Sequence, residues 1–240
     1  MALMSTDGML LLLRWIHFLA GITWIGLLYY FNFVQTPFFG ETEPPVRSAA
    51  IQKLVPRALW WFRWGAMVTF LAGWVILLYK MGQLGGVRGF FSTSYGWAIF
   101  LGGILGSFMW ANVWFIIWPN QKVVIASATQ VAQGGQAIPE AAARGQRSGF
   151  ASRTNTLFSI PMLFYMGAAS HFTLFGLVTR GQKVTMAILC AVIILAVELN
   201  ALYGTTGPTK KPLATIKGTL WAGFILTAIF YLLFEIVMTG

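Results

Sequence analysis

Residues 9–31 read MLLLLRWIHFLAGITWIGLLYYF, an apolar run in which Arg14 and His17 are the only ionisable groups short of its tyrosines. Crossing the hydrocarbon layer takes about 20 mostly apolar residues, because every backbone N–H and C=O has to be satisfied inside the segment. The run meets that length. It is longer than the apolar core of a secretory signal, holds Arg14 within it, and has no clear A-x-A-like cleavage site after it, so it is read as a retained helix. Runs of the same kind recur at 59–79, 95–118, 155–178, 184–203 and 218–238. The expected fold is all-α, a polytopic transmembrane helix bundle of about six spans. One integral membrane domain covers 1–240, and its long connection, 119–154, is expected to form one or two surface helices on the cytoplasmic face.

Composition excludes a soluble domain: 58% of residues are hydrophobic and 9% charged, against roughly 25% charged in ordinary soluble domains. The net charge of +10 would point to nucleic acid on a soluble protein, so its distribution decides its meaning. Arg47, Lys53, Arg57 and Arg63 flank the first connection, Lys122, Arg144, Arg147 and Arg153 the third, and Lys210, Lys211 and Lys217 the fifth. The other side carries Lys80, Arg88, Arg180 and Lys183. The positive-inside rule makes the first, third and fifth connections cytoplasmic and both termini outside. The basic excess is topological, and no nucleic-acid partner is expected. Cys190, the single cysteine, can form no intrachain disulfide and reads as a small packing residue.

No internal repeat of the inverted-transporter kind is visible. Gly102-x-x-x-Gly106, Gly21, Gly26 and Gly167 read as close helix contacts, or as the flank of a planar cofactor. Trp60, Trp61, Trp64 and Trp118 lie near predicted helix ends, as an interfacial aromatic belt requires.

Ionisable groups inside a bilayer are costly and mark candidate sites. The chain has two histidines, His17 in the first predicted helix and His171 in the fourth. With both termini outside, they fall roughly 12 Å and 10 Å below the outer ends of their helices. Equal depth on separate helices is what axial ligation of one b-type haem requires, the two imidazoles approaching the iron from opposite faces. The alternative is that each bonds a carbonyl or hydroxyl in a packed interface. Zinc or copper is underfilled by two histidines unless Glu235 joins them. Arg14, one turn outward of His17, would pair with a haem propionate or snorkel to headgroups. Toward the inner side, Arg63, Asn112, Arg153, Asn155, Glu198 and Asn200 cluster. They read as an Arg63–Glu198 ion pair holding the bundle, or as a pocket for a polar anion or a proton path. No residue is assigned a catalytic role.

The strings Arg14-Trp15-Ile16-His17, Trp24-Ile25-Gly26, Trp61-Phe62-Arg63-Trp64-Gly65, Trp118-Pro119-Asn120-Gln121-Lys122 and Ser152-Arg153-Thr154-Asn155-Thr156 are informative in combination. With Pro161-Met162 and His171-Phe172, they resemble the membrane domain of the bacterial cytochrome c-linked urate oxidase family, the PuuD-type urate hydroxylases. The resemblance covers nearly the whole chain. It implies a membrane redox protein of purine catabolism that oxidises urate to 5-hydroxyisourate and passes electrons to cytochrome c. Longer members carry a C-terminal cytochrome c domain, whereas this sequence stops at Gly240 with no CxxCH, so a separate acceptor is expected.

The leading expectation is an oxidoreductase binding haem b at His17 and His171, taking electrons from urate or a similar small donor to an external cytochrome c. The runner-up is a non-catalytic subunit of a larger membrane complex, with structural histidines. A transporter comes third. Membrane lipid is an expected partner in each case, and self-association into an oligomer is compatible with all three.

Overall fold

The structure, a computed structural model, describes residues 2–171 and 178–239. Its regular structure is all helix, with no strand among these residues. Ser5 caps the first helix, α1 (Thr6–Tyr29), by accepting from the Gly8 N–H at 3.2 Å. A π-helical turn, Tyr30–Gln35, then leads without a break into α2 (Thr36–Glu41). After α3 (Pro44–Lys53) come α4 (Val55–Gln83), the short α5 (Gly86–Phe90) and α6 (Ser94–Ala111). A second π-helical turn, Asn112–Ile117, continues α6 into α7 (Trp118–Ala132). Next are α8 (Ala141–Ala168), α9 (Arg180–Leu202) behind a Thr179/Gln182 capping box, α10 (Lys211–Ala214) and α11 (Ile216–Met238).

Five helical segments among the described residues are long and apolar enough to cross a membrane: Thr6–Glu41, Val55–Gln83, Ser94–Ala132, Arg180–Leu202 and Ile216–Met238. Two outrun the spans expected from sequence. The 36 residues of the first and 39 of the third make rods of about 54 and 58 Å, against a hydrocarbon core of about 30 Å. Both run on through a proline, Pro37 in the first and Pro119 in the third. Pro37 and Pro119 have no N–H, and in a regular α-turn the ring presses on the carbonyl four residues back. Just before each, the turn widens: Thr36 N–H bonds the Phe31 carbonyl and Trp118 N–H bonds that of Val113, each five residues back. The 119–154 segment is helical on either side of one turn, and both of its helices continue into longer rods. It is the extension of α6–α7, a turn at 133–140 and the first half of α8.

The fourth expected span, 155–178, differs as well, becoming α8. It starts earlier and ends at Ala168; positions 172–177 lie outside the described residues. Among the helices, α8 is the central one, packed on α6, α7, α9 and α11. All six residues from Thr154 to Ser159 are buried, so α8 has no lipid-facing side there. Two of its hydroxyls are satisfied: Thr156 Oγ1 donates to Ser152 O, and Ser159 Oγ donates to Thr156 O while accepting from Tyr29 OH of α1 at 2.9 Å, whereas the buried Thr154 Oγ1 has no partner among the described residues. Pro161 cannot bond the Leu157 carbonyl, and α11 closes on that spot: a Cβ on Gly223 would stand 2.9 Å from Leu157 O. Gly102 of α6 approaches α8 in the same way, 3.3 Å from Met162 O by the same measure. The glycine contacts expected at Gly102, Gly106 and Gly21 are thus helix contacts, while Gly26 and Gly167 meet nothing within 4 Å.

Candidate functional site

The second π-helical turn sets up a buried polar triad. Widening the turn releases backbone carbonyls from their usual partners, and Asn155 Nδ2 of α8 donates to the Met109 carbonyl at 2.9 Å. That contact leaves Asn155 Oδ1 as an acceptor, filled by Asn112 Nδ2 at 2.9 Å. The same Asn112 amide spends its second hydrogen on Glu198 Oε2 of α9 at 3.0 Å. Asn112, Asn155 and Glu198 are 1%, 0% and 6% exposed, so three helices are tied together by groups that find little water.

Arg153, two positions before Asn155, faces a different space. A cavity of about 320 Å³ lies where the first π-helical turn meets the beginnings of α4, α7 and α8 and the end of α10. The first turn again presents an asparagine: Asn32 Nδ2 donates to Leu28 O and to Ser152 Oγ, and its Oδ1 accepts from Arg153 Nε at 3.1 Å. Arg153 Nη1 donates to Leu213 O at 3.1 Å, which leaves Nη2 without a partner among the described residues. Gln35 lines the same cavity, and its buried Oε1 also has no hydrogen-bond partner among the described residues. Gln121, its Nε2 donating to Ser148 Oγ at 2.9 Å, adds a polar edge, and Phe31, Phe62 and Phe150 add apolar faces. Arg153, with an unpartnered guanidinium nitrogen, and Gln35, with an unpartnered buried amide oxygen, thus border one space between aromatic rings. Nearby, Lys210 is 4% exposed and donates to Asn200 O, and burial draws its ammonium below the ordinary lysine value.

The expected Arg63–Glu198 ion pair does not form. The Arg63 guanidinium carbon stands 3.6 Å from the centre of the Trp118 ring and 5.5 Å from that of Trp114, while Glu198 is bonded by Asn112. A guanidinium is weakly hydrated and stacks well on indole, so the tryptophans near the helix ends supply the partner in place of a carboxylate. The predicted inner cluster is resolved into three units: the asparagine–glutamate triad, the Arg153 cavity and the Arg63 stack. Asn200 stands apart, donating to Thr209 O at 3.0 Å.

The two histidines are not brought together. His17 faces α4, its Nδ1–H donating to the Thr69 carbonyl at 2.9 Å and its ring lying against Gly73. Trp74, beside Gly73, donates to Ser107 Oγ of α6 at 3.1 Å, and Gly106 of α6 lies against Met162 of α8. His17 is therefore near the level of Met162. His171 lies nine positions later, about 13 Å of helical rise. It is exposed, in a turn beyond the end of α8, its backbone N–H on Ala168 O. The equal depth expected from sequence rested on a fourth helix reaching residue 178, and α8 stops at Ala168. His17 alone suits an axial ligand: Nδ1 is fixed by a backbone carbonyl and Nε2 has no partner among the described residues. The pair does not suit the opposite faces of one haem. Arg14 is exposed one turn from His17, and no group of three or more metal-binding side chains occurs among the described residues.

Sequence reasoning missed Asn32 and Gln35. The signal was present as repetition: each long helix carries an asparagine a few residues ahead of a proline, Asn32 before Pro37 and Asn112 before Pro119.

Comparison with known proteins gives one family. The family model described as urate oxidase N-terminal matches residues 87–233, more than half of the chain. No curated protein and no solved structure matches.

Proposed function

The chain belongs to the urate oxidase N-terminal family, and from that premise we propose that the Arg153 cavity receives urate, or a similar planar purine anion, for oxidation in the membrane. The supporting observation is that Arg153, with an unpartnered guanidinium nitrogen, and Gln35, with an unpartnered amide oxygen, both line one cavity of about 320 Å³. A purine trione presents ring N–H donors and carbonyl acceptors around a flat apolar body, and its anionic form answers the arginine. In this reading the cavity opens at the cytoplasmic end, where Arg57, Lys122, Arg147 and Lys211 raise the local concentration of anions. Electrons leave to an external acceptor of the cytochrome c class. A haem b serving as relay would be held by His17, with one-electron chemistry as its contribution.

Binding of urate to the purified protein, followed by equilibrium dialysis, tests the cavity. Losing a charge-assisted bond weakens binding by about 10- to 100-fold, so Arg153→Gln is expected to raise the Kd by that much. Gln35→Leu should raise it less, and Arg63→Gln should leave it unchanged. Failure of the wild type to bind urate, or equal binding by Arg153→Gln, would overturn the assignment.

A further inference from the structure

A second space lies away from the polar units, between α6 and α9, with a volume of about 490 Å³. Leu101, Ile104, Ala187, Cys190, Ala191 and Ile194 line it, with Phe234 of α11. Its chemistry is asymmetric. At the end where α9 begins stand Arg180 and Lys183, with no acidic residue in the lining. Lys183 Nζ donates to Ser92 Oγ at 3.1 Å and Trp97 Nε1 to Phe91 O at 3.0 Å, so this rim is polar on both walls. Below the rim the walls are apolar.

The dimensions name the occupant. Val184 to Ile194 of α9 rises about 15 Å, half of the roughly 30 Å hydrocarbon core and so the depth of one leaflet. A groove one leaflet deep, floored by small side chains and rimmed by two cations and an indole, matches one acyl chain with an anionic headgroup at its top. We infer that this groove is a binding site for an anionic phospholipid, its phosphate held by Arg180 and Lys183 and one acyl chain lying along α9 over Ala187, Cys190 and Ala191. The site is independent of the Arg153 cavity, with which it shares no lining residue.

The purified, delipidated full chain is to be measured by native mass spectrometry in micelles containing phosphatidylglycerol or phosphatidylcholine of the same chain length. Two cations at a headgroup favour the anionic lipid by about 10- to 30-fold, so one phosphatidylglycerol should be retained with that preference. Arg180→Gln with Lys183→Gln should erase the preference while leaving weak retention of both lipids. Ala187→Trp and, separately, Ala191→Trp should abolish retention of either, and Lys80→Gln should change nothing. Equal retention of both lipids by the wild type would sink the proposal. So would a preference surviving the double substitution, unimpeded lipid in both tryptophan variants, or an adduct with inorganic phosphate alone that the double substitution removes.

Discussion

His17 occupies the space that Gly73 leaves empty: a Cβ on Gly73 would stand 2.8 Å from the imidazole Cε1 and 3.2 Å from Nδ1. The Thr69 carbonyl that holds Nδ1 is one turn away on the same helix, so one face of α4 both seats and orients the ring. Gly73→Ala therefore has to push the imidazole off its carbonyl. Overpacking of this kind costs about 1–3 kcal/mol, and thermal unfolding in detergent should show a lowered Tm. Gly82→Ala, with nothing within 4 Å, is the matched control and should hold or raise the Tm.

The haem relay has its own spectroscopic test. With one protein ligand, the bound haem should be high-spin, and His17→Ala should remove the reduced-minus-oxidised signal, whereas His171→Ala should leave it in place. A low-spin spectrum that either substitution destroys would restore the paired ligation that the placement of His171 argues against.

Arg63 should be coupled to Trp118 and not to Glu198. A double-mutant cycle between Arg63→Leu and Trp118→Leu is expected to return an interaction of about 0.5–2 kcal/mol. The cycle between Arg63→Leu and Glu198→Gln should be additive within about 0.5 kcal/mol. A large coupling in the second cycle would mean that the arginine does reach the carboxylate.

Asn112 donates to two buried acceptors at once, so Asn112→Ala leaves both Asn155 Oδ1 and Glu198 Oε2 unpaired. An orphaned buried acceptor costs about 1–3 kcal/mol, more when charged. The loss should shrink when Glu198→Gln is added, because the neutral amide is cheaper to bury and has its own donors. An unchanged loss in the double variant would place the carboxylate outside the network.

The helical class and five of the six runs were legible from hydropathy, because each apolar run is long and continuous. The first and third runs were ended too early, at Phe31 and Trp118, for one reason: a widened turn, which leaves no mark on hydropathy, lets each helix continue through Pro37 or Pro119. The candidate polar residues were found because charge and amide are rare among so many apolar side chains. How they pair was hidden. Arg63 had a carboxylate within plausible depth, and nothing in the order of residues says that Trp118 would be nearer. Depth counted from predicted helix ends placed His171 wrongly once α8 ended at Ala168.

The enclosure of α8 also bears on how the protein is made. Three arginines in its first half and the run Thr154-Asn155-Thr156 make it a poor candidate for entering lipid by itself. Its neighbour α6 is synthesised before it and α9 and α11 after it. A ribosome therefore delivers α8 to an acceptor that is only partly assembled, with the Met109 carbonyl waiting for Asn155 while Glu198 has yet to emerge. Membrane integration of α8 is a cooperative event, timed by the helices on either side of it in the chain. Cut from those neighbours, the segment that fills the centre of the bundle would be left in water.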